Sequence, residues 1–111
     1  MRRVMVRYRV KPAEAERNEQ LVRAVYDELD RRQPEAISYA TFQLDDGVSF
    51  VHIYLSANDD RSSGLAEFPA FQEFQRGAAE RFEEGPIVTE LREVGSYRLL
   101  AGDGPGTMPG A

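Results

Sequence analysis

The side chains best suited to chemistry lie on two adjacent runs that the sequence predicts to be paired strands. His52 is the only histidine of the chain, and an unperturbed imidazole titrates near neutrality, so His52 is the candidate general base. Tyr54 lies two residues further along the same run, and Tyr39 lies on the preceding run. These phenols could orient a phenolic or enolic substrate while the imidazole takes its hydroxyl proton. His52, Tyr54 and Tyr39 are therefore the candidate catalytic residues.

These candidates also have a purely structural interpretation. A histidine on a half-buried strand often hydrogen-bonds only to a neighbouring backbone group or carboxylate. Tyrosines such as Tyr39 and Tyr54 often pack in the core of a dimer interface with the hydroxyl at its edge. The sequence leaves both interpretations open.

Three phenylalanines are candidates for substrate binding. Phe50 precedes His52 by two residues, so strand alternation puts both side chains on one surface. Phe71 and Phe74 lie on a predicted helix and could line a pocket for an aromatic ligand. Their helical spacing is equally typical of core packing.

Two arginines of the first strand complete the candidate site. Arg7 and Arg9 could bind a substrate carboxylate. Alternatively, they could form cross-strand pairs with Glu90 or Glu93 on the last strand.

The elements that must position these residues follow from changes in hydrophobic period. A period of two predicts strands, and a period near 3.6 predicts amphipathic helices. Asp46-Gly47 between two runs rich in β-branched and aromatic residues is a strong hairpin signal. The predicted elements are a strand at Val4–Val10, a helix at Glu14–Arg32, a hairpin over Ala36–Ser56, a helix at Pro69–Phe82 broken by Gly85-Pro86, and a strand at Val88–Leu100.

This order predicts an α+β, ferredoxin-like βαββαβ domain. We expect a four-stranded antiparallel sheet in the order 4-1-3-2 with both helices on one face. The residues expected to face the helices are Val4, Val6, Tyr8, Ala40, Phe42, Leu44, Val51, Ile53 and Leu55. The residues expected on the opposite face are Met5, Arg7, Arg9, Tyr39, Thr41, Phe50, His52 and Tyr54. That second set is unusually aromatic for a solvent face, so we expect it to be covered by a partner, a ligand or both.

Composition bounds the class of protein. A chain of 111 residues with 41% hydrophobic and 30% charged residues is typical of one soluble globular domain. We expect that domain over residues 1–100, and a Gly/Pro-rich tail over 101–111 that does not pack by itself. A net charge of -5 argues against nucleic-acid binding.

Several partners and sites are expected to be absent. There is no cysteine and a single histidine, which are too few ligands for a metal site. No apolar run approaches the length of a membrane span. The stretch Met1–Arg7 has arginines within its apolar residues, unlike a signal peptide, so we expect a cytoplasmic location.

The same segments resemble those of a known family. The first strand, the Asp45-Asp46-Gly47 turn, the run Phe50–Tyr54 and the segment Phe68–Phe74 are similar to those of the dimeric α/β-barrel superfamily, in particular its antibiotic biosynthesis monooxygenase-like domains. The similarity covers roughly Arg3–Leu100. It implies a homodimer with sheets packed face to face, and a pocket between each sheet and its helices.

The resemblance implies a function only in outline. Members include cofactor-free oxygenases of aromatic polyketides, haem-degrading enzymes and isomerases. The chain lacks the tryptophan and the helical histidine that haem degraders of this fold use, so we expect no haem and no other cofactor. The expected function is binding of a hydrophobic aromatic small molecule, with cofactor-independent monooxygenation of a polyketide-like substrate as the candidate reaction. The alternative is a non-catalytic dimeric module for ligand binding or assembly.

Overall fold

A computed structural model describes residues 1–57 and 64–98 of the chain. Within these ranges the elements follow the predicted order. They are β1 (Arg2–Val10), a 3₁₀ turn (Pro12–Glu14), α1 (Ala15–Arg32), β2 (Ile37–Gln43), β3 (Ser49–Ser56), a 3₁₀ turn (Gly64–Glu67), α2 (Pro69–Gln75), α3 (Ala78–Arg81) and β4 (Phe82–Glu90). The predicted tail over 101–111 lies outside the described residues, and the domain boundary at residue 100 stays a prediction.

The four strands form one antiparallel sheet in the order β2-β3-β1-β4. This is the predicted order read from the opposite edge, so the ferredoxin-like fold is confirmed. The helices pack on one face, where α1 contributes Leu21, Val22 and Val25 to the core. None of the helices in the described ranges is long and apolar enough to span a membrane.

The hairpin between β2 and β3 is held by the predicted turn residues. Asp46 Oδ1 accepts hydrogen bonds from the backbone N–H groups of Val48 at 2.9 Å and Ser49 at 2.8 Å. Gly47 has a φ of 79°, a conformation that glycine adopts without a steric cost. The turn thereby fixes the pairing of β2 with β3.

The register of the sheet corrects the expected faces of β2 and β3. Directly opposite residues on antiparallel strands share a face, and His52 stands opposite both Val6 and Thr41. His52 therefore lies on the helix-covered face with Val6, contrary to the prediction, and Phe42 on the open face is 57% exposed. The prediction failed because both alternating sets of β3 are apolar or aromatic, so alternation does not select a face. The helix-covered face carries Val4, Val6, Tyr8, Tyr39, Thr41, Phe50, His52 and Tyr54, and the open face carries Met5, Arg7, Arg9, Ala40, Phe42, Val51, Ile53 and Leu55.

The second predicted helix is also corrected. It divides into α2 and α3 because Gly77 adopts a φ of 106°, which ends the helical hydrogen-bond pattern. The last strand then begins at Phe82 rather than Val88, and Gly85 lies inside it. A Cβ on Gly85 would come within 2.8 Å of the Arg7 carbonyl oxygen, so Gly85 allows β4 to approach β1 where their register shifts.

Candidate functional site

A cavity of about 550 Å³ lies between the sheet and the α2–α3 segment. This volume is within the range of small-molecule sites. Its wall is mainly apolar and aromatic, and the three predicted catalytic residues take part in it. Residues of the wall include Tyr39, His52, Tyr54, Phe71, Phe74 and Phe82.

His52 is the polar centre of this wall. It is only 5% exposed, and both ring nitrogens have phenol partners. Nε2 lies 2.8 Å from the Tyr8 hydroxyl, and Nδ1 lies 2.6 Å from the Tyr39 hydroxyl. The Thr41 hydroxyl lies 3.3 Å from Nδ1. The imidazole is thus held between two phenols that also line the cavity.

The hydrogen bonds continue from Tyr8 into the core. Asn18 Nδ2 donates to the Tyr8 hydroxyl at 2.9 Å, and Arg81 Nε donates to Asn18 Oδ1 at 3.2 Å. Asn18 is fully buried and Arg81 is 6% exposed. We call Arg81, Asn18, Tyr8, His52 and Tyr39 the buried polar chain.

Aromatic rings pack against two members of the buried polar chain, Tyr8 and Arg81. The Tyr8 ring lies between Phe82, with centroids 4.2 Å apart and planes at 13°, and Phe50, at 5.6 Å and 14°. The Arg81 guanidinium lies over the rings of Phe74 and Phe82 at 5.0 and 5.5 Å, and its Nη2 donates to the Phe74 carbonyl at 2.7 Å. Stacked rings fix the phenol and the guanidinium at one geometry.

Burial shifts the proton affinities of the site. Desolvation lowers the pKa of His52 from 6.5 to about 4, because the charged imidazolium is disfavoured away from water. Burial also raises the pKa of Tyr8 to about 12 and raises the pKa of Tyr39. At neutral pH the imidazole and both phenols are therefore uncharged, and His52 does not titrate near neutrality as its ordinary value implies.

The remaining predicted aromatic residues have different environments. Phe71 and Phe74 line the cavity, whereas Phe50 is 2% exposed and packs beneath Tyr8. The Tyr54 hydroxyl is buried without a hydrogen-bond partner among the described residues. Phe50 therefore contacts Tyr8 without lining the cavity, whereas Phe71, Phe74 and Tyr54 form part of the cavity wall.

The two predicted arginines do not join this cavity. Arg7 and Arg9 lie on the open face, since each alternates with the helix-facing Tyr8. Arg9 pairs with Glu84 at 2.9 Å and with Glu83 at 3.5 Å. The structure thus separates the arginines from His52 by the thickness of the sheet.

Sequence reasoning missed the inner half of the buried polar chain. Tyr8 was expected in the core but not as a partner of His52. Asn18 precedes Leu21 and Val22 by three and four residues, so it continues the apolar stripe of α1. A lone amide on such a stripe is a signal of a buried polar contact. Arg81 carries no comparable signal, because it follows the break at Gly77.

The described residues contain no group of three histidine, cysteine, aspartate or glutamate side chains that could hold a metal ion. The expected absence of haem and other cofactors stays a prediction.

Comparison with known proteins gives a likeness of structure only. No protein-family model and no curated protein matches the sequence. A crystal structure of an antibiotic biosynthesis monooxygenase is similar with a TM-score of 0.71 at 17% identity, over 86% of this chain and 100% of the other. A provisionally named antibiotic biosynthesis monooxygenase from Nitrosomonas europaea gives 0.72 at 16% identity, over 85% and 99%. A Pseudomonas aeruginosa protein gives 0.70 at 19% identity, over 85% and 94%.

These likenesses extend over almost the whole of each compared chain, and at such identities they establish the fold and not the activity. The resemblance that the sequence predicts is confirmed at that level. The chain has the ferredoxin-like fold of proteins named antibiotic biosynthesis monooxygenases.

Proposed function

We propose that this protein binds a flat, hydrophobic aromatic molecule in the cavity between the sheet and the α2–α3 segment, and oxidises it with dioxygen without a cofactor. The observation that carries the proposal is the cavity of about 550 Å³ with His52 and two phenols in an otherwise mainly apolar wall. Few polar groups in an apolar wall orient a ligand while its rings supply the buried area.

The aromatic rings account for the preference for a flat ligand. Phe71 and Phe74 stack with centroids 6.3 Å apart, and Phe74 also lies 5.6 Å from the His52 ring. A ligand ring inserted here meets aromatic faces on the helix side and the phenol of Tyr39 on the sheet side. Such contacts favour fused aromatic rings over flexible aliphatic chains.

The polar groups favour a ligand with an oxygen substituent. The phenol of Tyr39 keeps its proton at neutral pH, because burial raises its pKa. A hydroxyl donor beside a ligand carbonyl stabilises the negative charge that develops on the oxygen when the ligand enolises. An enolate is electron-rich, and this is the form that reacts with dioxygen unaided.

The proposed reaction balances without an added reductant. The methylene of an anthrone becomes a carbonyl. One oxygen atom of dioxygen forms the new carbonyl, and the other leaves as water with the two methylene hydrogens. The ligand loses the four electrons that dioxygen gains. The proton lost on enolisation passes to solvent and returns in the water that leaves, while the protein binds the ligand and stabilises the enolate.

The test is oxygen uptake by the purified protein with anthrone and 1,8-dihydroxyanthrone, corrected for autoxidation. We expect one dioxygen consumed per quinone formed. Tyr39→Phe should lower the rate by about 10² to 10³, the usual effect of removing one such donor, and His52→Gln should also lower it. Tyr97→Phe is the matched control, because Tyr97 is 76% exposed.

One observation favours a second candidate, a non-catalytic ligand-binding module. With a pKa of about 4, His52 is a weak base at neutral pH and would serve to orient a ligand. Calorimetric titration with anthraquinone measures binding alone, since anthraquinone binds without turnover. Together with the oxygen-uptake measurement, it separates the two candidates. Binding without oxygen uptake would favour the module, and no binding by any of these compounds would refute both.

We also propose that the protein is a homodimer joined through the open face of the sheet, and that it is cytoplasmic. Phe42, Val51, Arg7 and Ile87 form one row across β2, β3, β1 and β4. Phe42 and Ile87 are 57% and 44% exposed, so a second copy would bury an apolar surface that is otherwise wet.

A further inference from the structure

The orientation of the Asn18 amide is determined by its neighbours. Arg81 carries only hydrogen-bond donors, and its Nε lies 3.2 Å from Asn18. The Asn18 atom facing Arg81 must therefore be the oxygen. The Asn18 nitrogen then faces Tyr8 and donates to the phenol oxygen at 2.9 Å. Because both Asn18 and Arg81 are buried, this arrangement is not exchanged for bonds to water.

The bond from Asn18 constrains the proton of Tyr8. The Tyr8 oxygen already accepts from Asn18, and its other described partner is His52 Nε2. If His52 also donated to it, the Tyr8 proton would have no acceptor among residues 1–57 and 64–98. Tyr8 is only 3% exposed, so that proton would be buried and unsatisfied, which is unfavourable. The Tyr8 hydroxyl therefore donates to Nε2.

The tautomer of His52 follows. A neutral imidazole has one N–H and one lone pair, so a hydrogen bond accepted at Nε2 leaves the proton on Nδ1. Nδ1–H then donates to the Tyr39 oxygen at 2.6 Å, with the Thr41 oxygen beside it at 3.3 Å. Two oxygens near one ring nitrogen fit a donor better than an acceptor, because a single lone pair accepts only one proton. Tyr39 is the more exposed of the two phenols and lines the cavity, so a ligand oxygen there competes with the Thr41 hydroxyl for its remaining proton.

We propose that every hydrogen bond of the buried polar chain is donated in the same direction, from Arg81 through Asn18, Tyr8 and His52 to Tyr39. Tyr39 therefore presents its own hydroxyl proton to an acceptor oxygen of the ligand. The ligand class is then a carbonyl or enolate compound. Each bond polarises the next, and a guanidinium stands at the far end. Asn18 and Arg81 are positioning residues for Tyr39. The ligand part of this inference rests on the proposed function, whereas the direction of the chain does not.

The test is ¹⁵N NMR of the histidine ring, which is unambiguous because His52 is the only histidine. In the wild-type protein at neutral pH we expect Nδ1 to be protonated. Asn18→Asp should reverse this, because an ionised carboxylate only accepts. Tyr8 would then donate to Asp at position 18, and Nε2–H would donate to Tyr8. Gln20→Glu is the matched control, since the exposed Gln20 lies on the same helix and should leave the tautomer unchanged.

Each outcome decides the direction of the chain. Wild-type protein with the proton on Nε2 would overturn the proposal whether or not Asn18→Asp folds, and so would a folded Asn18→Asp that keeps the wild-type tautomer. A second measurement tests the ligand class. Anthraquinone should bind more tightly than anthracene, and Tyr39→Phe should reduce that preference by about tenfold. An unchanged preference would refute the role of Tyr39 and leave the tautomer result standing.

Discussion

His52 loses affinity for protons because it is enclosed by rings and phenols. A free histidine has a pKa near 6.5, whereas burial lowers the pKa of His52 to about 4. The neutral imidazole can bridge two hydroxyl groups, accepting from one and donating to the other, which an imidazolium cannot do. The same residue that the sequence indicates as a base is thus better suited to hold two phenols in a fixed arrangement.

This lowered pKa predicts a pH-dependent stability. Between about pH 6.5 and pH 4 the unfolded chain binds a proton at His52 and the folded chain does not. The contribution of neutral His52 is therefore complete above about pH 6.5 and is lost as the pH falls toward 4. The gap between the pKa of 6.5 and that of about 4 corresponds to about 3 kcal/mol.

The measurement is the urea midpoint of wild-type protein and of His52→Gln at pH 7 and pH 4.5. Carboxylates titrate in both proteins, so the difference between the two isolates His52. The wild type should lose more stability on acidification than the variant. Equal losses, or a histidine NMR titration centred near pH 6.5, would contradict the prediction.

The helices that cover the cavity are short, and a side chain of α1 caps the first of them, α2. The Glu28 side chain is almost fully buried, although most acidic residues of α1 are on its exposed side. Its Oε1 accepts from the Ala70 backbone N–H at 2.9 Å, and its Oε2 accepts from Arg32 Nε at 2.8 Å. The carboxylate therefore caps the first turn of α2 from another element, where no side chain of the local sequence does so.

Removal of this cap should be costly for so short a helix. Glu28→Ala leaves the Ala70 N–H without its carboxylate partner, and we expect a loss of about 1–3 kcal/mol in the free energy of unfolding. Asp27→Ala is the matched control, because Asp27 is exposed on the same helix and should change stability by about 0.5 kcal/mol or less. Urea denaturation measures both. A Glu28→Ala protein as stable as the control would show that the α2 cap contributes nothing measurable to the free energy of unfolding.

For the whole molecule, the open face of the sheet sets the expected assembly. Dimerisation through this face should bury on the order of 2,000 Å² in total. We expect light scattering to give twice the monomer mass at micromolar concentration. Phe42→Asp should shift the mass toward the monomer, because it places a charge at an apolar contact.

The control for this measurement is Val94→Asp. Val94 is 91% exposed and lies outside every strand and helix, so the same kind of charge there should leave the mass unchanged. A wild-type protein of monomer mass would refute the homodimer.

The topology could be predicted from local patterns, whereas the site could not be predicted in full. The change of period along the chain and the Asp46-Gly47 turn are local signals, and they suffice for the order of elements. The face on which His52 lies depends on its pairing with Val6, a contact between residues far apart in the chain. The bond from Asn18 to Tyr8 depends on packing of α1 against β1, which no short segment encodes.

The stacking of Tyr8 between Phe50 and Phe82 also affects how the site tolerates ring motion. A phenol ring turns about the axis through its hydroxyl oxygen, so a half-turn of Tyr8 or Tyr39 returns the oxygen to the same point. A half-turn of the imidazole instead exchanges ring nitrogens with carbons and breaks both of its hydrogen bonds. The buried polar chain therefore has two rotational weak points, the His52 ring and the Asn18 amide, since a half-turn of the amide exchanges its oxygen and nitrogen. The two tyrosines beside His52 can flip without interrupting the connection.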